Sequence, residues 1–142
     1  MKEQNLKNHP RFVPLYHYVA SLLILAILIG SIVNLVHSTE ETIYSASLIT
    51  ALTIVAALNW AFLRIFALKA QDRAIRAEEN FRHFILTGKP HDSRLKMSQI
   101  IALRFASDEE FVALAQRAVA ENLSNPAIKK EIKNWRADYH RA

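Results

Sequence analysis

Histidines, acidic clusters and hydroxyl side chains are the groups in this sequence that could carry chemistry. His83 follows Glu79 by four residues, on one face of a helix, and His91 comes after the next turn, so a metal site is conceivable. The sequence contains no second histidine at helical spacing and no cysteine. Zinc sites generally need such ligands, so we expect surface histidines and no bound metal.

The remaining candidate groups are better explained by helix formation than by catalysis. Ser107 and Ser124 each precede a helical pattern, where a hydroxyl serves as N-cap. Three acidic residues follow Ser107 directly, in the first turn, where they complement the helix dipole. The two glycines, Gly30 and Gly88, are too far apart to build a phosphate-binding loop. We therefore expect no enzyme, no cofactor and no small-molecule substrate.

Two long apolar runs dominate the first half of the sequence and must position the candidate groups described above. Neither 15–36 nor 42–63 contains a charged residue in its 22 positions. A helix crosses the hydrocarbon core of a bilayer with about 20 apolar residues, and these runs lack the polar stripe of a soluble helix. The first run is too long for a secretory signal and is followed directly by the second. We predict two transmembrane helices, 15–36 and 44–66.

The positive charges are distributed unevenly around these runs. Residues 1–14 carry Lys2, Lys7 and Arg11, the connecting stretch 37–43 carries no Lys or Arg, and all other basic residues lie from Arg64 onward. Positive residues stay on the cytoplasmic side of a membrane. We predict that both termini are cytoplasmic and that the short acidic loop is outside.

An antiparallel arrangement would bring polar residues of the two spans to matching depth. Positions whose numbers sum to about 81 would face each other, which pairs Ser31 with Thr50. Such side chains hydrogen-bond between transmembrane helices and can alternatively line a substrate path, although two helices cannot enclose a pore. The predicted interhelical polar contacts are Ser21, Asn34, Ser47 and Asn59.

The second span is predicted to continue into the cytoplasm as one long helix. From Trp60 to Leu86 there is no Gly or Pro and helix propensity is high. We expect the helix to end near Gly88, which can take the left-handed conformation, with Pro90 preventing continuation.

Three shorter helices follow. The first covers about 98–105, and the second runs from a capping box of Ser107 with Glu110 to about 122. The third begins with Asn125 as N-cap and Pro126, and continues through an amphipathic stripe. The stripe consists of Ile128, Ile132, Trp135 and Tyr139. We expect these helices to pack around Phe81, Phe84 and Ile85.

The predicted fold is therefore all-α: a transmembrane helical hairpin whose extended second helix joins a small cytoplasmic helical cap of about three short helices. The predicted segments are an N-terminal segment 1–14, the first span 15–36, an external loop 37–43, the second span 44–66, and a cytoplasmic helical domain 67–142.

The end of the chain is basic. One interpretation is a face that contacts anionic lipid, nucleic acid or the ribosome, while the positive-inside rule explains the same bias without a ligand. No known nucleic-acid-binding motif is present, so we favour lipid over nucleic acid. The candidate basic face comprises Lys129, Lys130, Lys133, Arg136 and Arg141.

Several strings resemble a family of small bacterial two-helix membrane proteins classed as a domain of unknown function. They lie at 3–9, 11–14, 66–80, 101–111 and 132–142. The resemblance implies the bacterial cytoplasmic (inner) membrane and brings no activity or catalytic residues with it.

The resemblance also draws attention to polar residues beyond those that solubility requires. They would suit either an ion-pair network between the long helix and the segment 100–105 or a partner-binding surface. These candidates are Gln71, Asp72, Arg73, Arg76, Glu79, Asn80 and Arg104.

We expect a non-enzymatic accessory or scaffold protein that presents its cytoplasmic domain to a protein partner or to another copy of itself. The alternative is binding of anionic lipid or nucleic acid through the basic C-terminal helix.

Overall fold

The computed structural model describes residues 4–9 and 12–139, and the regular elements of this part of the chain are helical. A π-helical turn, Leu15–Ala20, leads directly into the first α-helix. The α-helices are α1 Ser21–Val36, α2 Ile43–Thr87, α3 Met97–Leu103, α4 Asp108–Ala120 and α5 Asn125–Glu131. The described residues contain no strand beyond one isolated antiparallel bridge, Ala106 with Trp135. The predicted all-helical class is confirmed.

The chain forms two compact units. The apolar unit consists of residues 12–67, and the cap unit combines residues 68–139 with the N-terminal segment 4–9. We predicted the N-terminal segment and the cytoplasmic helical domain as separate segments, whereas in the structure they belong to one compact unit.

The apolar unit consists mainly of hydrophobic helix. The helical stretch Leu15–Val36 and the helix α2 are both long and apolar enough to cross a membrane. Most of their large apolar side chains are exposed, and the residues buried in this unit are small: Ser31, Ala46, Thr50 and Thr53.

Two hydrogen bonds and one ring stack connect the helical segments of the apolar unit. The Thr50 hydroxyl donates a hydrogen bond to the Ser31 carbonyl oxygen at 3.0 Å, which confirms the predicted pairing of these two positions. The Tyr16 hydroxyl donates to the Trp60 carbonyl at 2.6 Å, and the two rings stack with centroids 5.5 Å apart.

For three of the four residues predicted to make polar contacts between the helices, the structure shows a hydrogen bond to the backbone a few residues earlier in the chain. Ser21 donates to the carbonyl of His17 at 2.8 Å, Ser47 to that of Tyr44 at 2.7 Å and Asn59 to that of Val55 at 3.1 Å, in each case within their own helices. Asn34 is exposed. A carbonyl three or four residues back is always within reach of a short polar side chain, so the local bond forms in place of the one between helices.

The cap unit has a closed core. Its largest fully buried side chains are Leu103, Phe105, Phe111 and Ile128, contributed by α3, α4, α5 and the α3–α4 turn. The prediction that Phe81, Phe84 and Ile85 belong to this core is wrong, because they are 65%, 51% and 66% exposed. The helix α2 instead buries Ile75 against the core.

Helix ends in the cap unit follow the sequence in part. Gly88 ends α2 with φ of 71°, as predicted. Ser107 is the N-cap of α4, but its side chain makes no capping bond to the helix. The Glu110 carboxylate accepts from the backbone N–H groups of Lys133 at 3.2 Å and Asn134 at 3.0 Å, so it holds the C-terminal segment rather than completing a capping box.

The last helix is shorter than its apolar stripe suggested. Ser124 is the N-cap of α5, as predicted from its hydroxyl, and its side chain accepts from the N–H of Ala127. Asn125, which was also predicted as an N-cap, is the first residue of the helix. The helix ends at Glu131 because Ile132 takes an extended conformation. The following residues pair with the α3–α4 turn: Ser107 N–H donates to the Asn134 carbonyl at 3.1 Å, and Arg136 N–H to that of Phe105 at 2.7 Å. Backbone pairing thus overrides a helical pattern of only about three turns.

Candidate functional site

Arg82 and Glu79 form the centre of a polar network in the cap unit. They stand three residues apart on α2, and Arg82 Nη1 lies 3.0 Å from Glu79 Oε2. Both side chains are buried, with 10% and 7% of their surface exposed. A carboxylate in such a position depends on its cation, since an unpaired buried charge is strongly destabilising.

Every donor edge of the Arg82 guanidinium is used. Nε donates to Asp108 Oδ1 at 2.6 Å and Nη2 to the Ala106 carbonyl at 2.7 Å. The guanidinium carbon also stands 4.2 Å from the centre of the Phe111 ring. Arg82 therefore ties α2 to the turn that precedes α4 through its planar, five-donor geometry.

A second arginine approaches Glu79 from the C-terminal segment. Arg136 Nη1 lies 3.8 Å from Glu79 Oε1, and the Arg136 side chain is itself largely exposed. Burial raises the pKa of the Glu79 carboxyl above its usual value, and the bond to Arg82 opposes that rise. The first arginine thus favours the ionised form of Glu79 against the effect of burial, while the second adds a weaker, solvent-screened contact.

A further ion pair joins the turn after α3 to the C-terminal segment of the cap unit. Arg104, which is almost fully buried, places Nε 3.3 Å from Asp138 Oδ2. The backbone of Asp138 is held by the Gln4 side chain, whose Nε2 donates to the Asp138 carbonyl at 3.0 Å and whose Oε1 accepts from its N–H at 2.8 Å. The N-terminal segment thereby fixes residues at the far end of the sequence.

Gln99 supplies the buried amide of the cap. It is 2% exposed, and its Nε2 donates to the carbonyls of Ala118 at 2.7 Å and Leu123 at 3.0 Å. Its Oε1 accepts from the Lys96 N–H at 2.8 Å. This one side chain therefore forms hydrogen bonds with backbone groups at the start of α3 and at and just after the end of α4.

The two candidate metal-ligating histidines do come together. The rings of His83 and His91 have centroids 4.4 Å apart beside a cleft of about 450 Å³. Burial, followed by the neighbouring His83, lowers the pKa of His91 to about 4. His83 Nδ1 lies 2.8 Å from the Lys89 carbonyl oxygen and donates to it in the tautomer that carries the proton on Nδ1. Within the described residues no group of three His, Cys, Asp or Glu side chains could hold a metal ion.

The other predicted polar residues of α2 divide between two environments. Asn80 Oδ1 accepts from the His91 N–H at 2.9 Å, so it anchors the loop after α2. Arg73 and Arg76 are exposed and line a cleft of about 380 Å³ together with Asn80. Gln71 and Asp72 are half-buried. The structure therefore brings Glu79 into the network and leaves the two arginines at the surface.

The predicted basic face is not one helical face. Lys129 Nζ stands 3.1 Å from His9 Nε2 and over the Phe105 ring, while Arg136 faces Glu79. Lys130 and Lys133 are exposed, but Lys133 lies beyond the end of α5. Arg141 lies outside the described residues. Binding of anionic lipid or nucleic acid stays a prediction that rests on Lys130 and Lys133.

Five of these residues were not predicted from the sequence. Arg82 had a usable signal, since it follows Glu79 at i+3. Gln4, Gln99, Asp108 and Asp138 had none, because most of their partners are remote in sequence. Chemically the arrangement orients backbone and side chains: its carboxylates are bound to arginine, and its buried amide is satisfied.

The comparison with family models agrees with the resemblance seen in the sequence. A family of unknown function, DUF6526, matches residues 1–142. The chain belongs to this family. Neither a protein of curated function nor a solved structure matches it. Membership of DUF6526 thus assigns no activity, and any functional conclusion has to come from the geometry above.

Proposed function

We propose that this chain is a two-span integral membrane protein with a helical hairpin in the bacterial cytoplasmic membrane and both termini in the cytoplasm. Support comes from the exposed apolar side chains of Leu15–Val36 and of α2 up to about residue 66. In water such surfaces would associate, whereas in lipid they are solvated.

The cap unit supplies an independent argument for this topology. Gln4 in the segment before the first apolar helix bonds to Asp138 in the segment after the second. Segments that fold together lie on one side of a membrane, so the number of spans between them is even. The distribution of Lys and Arg favours the cytoplasm as that side.

Impermeant labelling of single cysteines tests the topology, because the native chain has no cysteine to interfere. We expect Thr39→Cys, in the loop between the helices, to react from outside intact spheroplasts. The control Lys133→Cys should react only after lysis. Labelling of Lys133→Cys in intact spheroplasts would contradict the proposed topology.

Within this topology we propose a non-enzymatic scaffold that presents the cap unit to a protein partner. The single observation that carries this is the surface of α2 in the cap unit. Phe81, Phe84 and Ile85 are 65%, 51% and 66% exposed, although the same unit has a closed core. Adjacent large apolar side chains on one exposed helical face are typical of protein interaction sites.

Chemical cross-linking in native membranes, followed by purification of the full chain, tests the scaffold role. We expect Phe81→Glu with Phe84→Glu to lose a cross-linked product that the wild type forms. Leu6→Glu is the matched control, because Leu6 is an exposed apolar residue elsewhere in the cap unit. Identical products from all three proteins would refute an interaction through this face.

A further inference from the structure

The exposed face of α2 in the cap unit carries a heptad pattern. Ala70, Ala74, Ala77, Phe81 and Phe84 are spaced by four, three, four and three residues, and all are exposed. This alternation is the a/d seam of a left-handed coiled coil, with Ala74 and Phe81 at a and the other three at d. The opposite face carries Ile75, Glu79 and Arg82, which are already packed within the unit.

The charges beside the seam distinguish one partner from others. Arg73 occupies a g position and Glu78 the e position five residues later. In a parallel pair of identical helices, residue g of one helix faces residue e of the next heptad on the other. Two copies would therefore form two Arg73–Glu78 pairs by symmetry. Neither residue forms a salt bridge with another residue that the structure describes, so both are available.

The rest of the pattern is compatible with close helix approach. The next g–e combination, Asn80 with Ile85, contains no charge and so no repulsion. The alanines at 70, 74 and 77 let two backbones come near each other, and Phe81 and Phe84 supply large apolar contacts further along.

We propose that α2 forms a parallel homodimer through residues 70–85, so that the partner presented with the exposed face is a second copy of this chain. The inference rests on the proposed function in one respect: copies inserted into one membrane in the same direction bring their α2 helices together in parallel.

Disulfide trapping in native membranes tests the seam directly. We expect mild oxidation to cross-link Ala74→Cys and Ala77→Cys into dimers, because facing seam positions bring Cα atoms within the roughly 4–7 Å that a disulfide spans. Arg76→Cys, exposed on α2 but off the seam, should give several times less dimer. Equal cross-linking at all three positions would overturn the proposal.

Charge exchange provides a second, independent readout. Arg73→Glu places like charges across the interface twice, so we expect about a tenfold weaker dimer in detergent, measured by sedimentation equilibrium. The exchange variant Arg73→Glu with Glu78→Arg restores the attraction and should recover wild-type association. Failure of the exchange to rescue would refute the parallel pairing.

These results separate the two proposals. If Thr39→Cys and Lys133→Cys label as expected while trapping follows no seam, the topology stands and the dimer falls. If trapping follows the seam while Lys133→Cys is labelled from outside, the dimer stands and the cytoplasmic assignment falls.

Discussion

The two units of this protein differ in which side chains they bury: one buries small, mostly polar residues and the other buries large apolar ones. The apolar unit exposes its large apolar side chains, buries Ser31 and Thr50, and bonds most hydroxyls to its own backbone. The cap unit buries Phe105 and Phe111 and joins remote segments through charged side chains. This difference fits the proposed membrane location of the apolar unit, because burial of apolar area drives folding in water, whereas packing and hydrogen bonds between helices do so in lipid.

The largest expected effect lies at the arginine on which the cap unit depends. Arg82→Met leaves Glu79 buried without its close cation and should lower the free energy of unfolding by about 3–5 kcal/mol. The loss of stability is measured by thermal unfolding of the full chain in mild detergent, with the susceptibility of the cap unit to a protease as the readout. Arg94→Met is the control, since Arg94 pairs only with the exposed Asp92 within the described residues. Equal melting of the two variants would show that the cap does not need its buried ion pair.

The buried amide comes next. Gln99→Leu keeps the volume but removes the amide bonds to the Leu123 carbonyl and the Lys96 N–H, which should cost the cap about 2–3 kcal/mol. The Ala118 carbonyl keeps the bond that it accepts from the Leu123 N–H. Gln116→Leu, at an exposed position of α4, should change the melting temperature very little. A stabilised Gln99→Leu protein would mean that the core prefers an apolar residue there.

The stability of the cap unit is expected to depend on pH through two of its side chains, His91 and Glu79. Burial, followed by the neighbouring His83, lowers the pKa of His91 to about 4 in the folded cap, from an ordinary histidine value of 6.5 that we assume for the unfolded chain. The unfolded state therefore binds the proton first, and stability present above pH 6.5 is lost as the pH falls toward 4. The raised pKa of Glu79 acts in the opposite direction, since its contribution is lost as the pH rises above 4.5.

His91→Phe isolates the histidine contribution in that pH series. The variant retains an aromatic ring against Phe111 and should flatten the loss of cap stability between pH 6.5 and 4, as measured by melting at each pH. The same slope in both proteins would exclude His91 as its source.

The smallest effect belongs to the apolar unit. Thr50→Val removes the hydroxyl bond to the Ser31 carbonyl and should cost about 0.5–2 kcal/mol, because hydrogen bonds between helices in lipid are weak. Unfolding in mixed micelles measures it. Ser47→Ala is the control, since that hydroxyl bonds within its own helix. A larger cost for Ser47→Ala would reverse this assignment.

Local patterns predicted the helices well and the contacts poorly. The two apolar runs, the long helix and its end at Gly88 all depend on residues close together in sequence. The extended chain after Glu131 could not be predicted, because it forms only when Glu110 and the turn at Phe105 are present to bind its backbone. The prediction for Phe81 and Phe84 was wrong for the same reason, because no local signal distinguishes a buried apolar residue from an exposed one.

The candidate network shows the same limit. Glu79 and Arg104 were found as polar residues in excess of solubility, and Arg82 was within reach of helical spacing. Their partners Asp108, Asp138 and Gln4 lie in other segments, and a single sequence carries no signal that links them.

The bond between Gln4 and Asp138 also sets an order for biogenesis. Gln4 is synthesised before both apolar helices and Asp138 after them, 134 residues later. The cap unit therefore cannot be completed until both apolar helices have left the ribosome, and the first residues must wait unpaired through that interval. In the proposed topology, an insertion error that leaves the N-terminal segment and Asp138 on opposite sides of the membrane would prevent this bond and leave the cap unit incomplete.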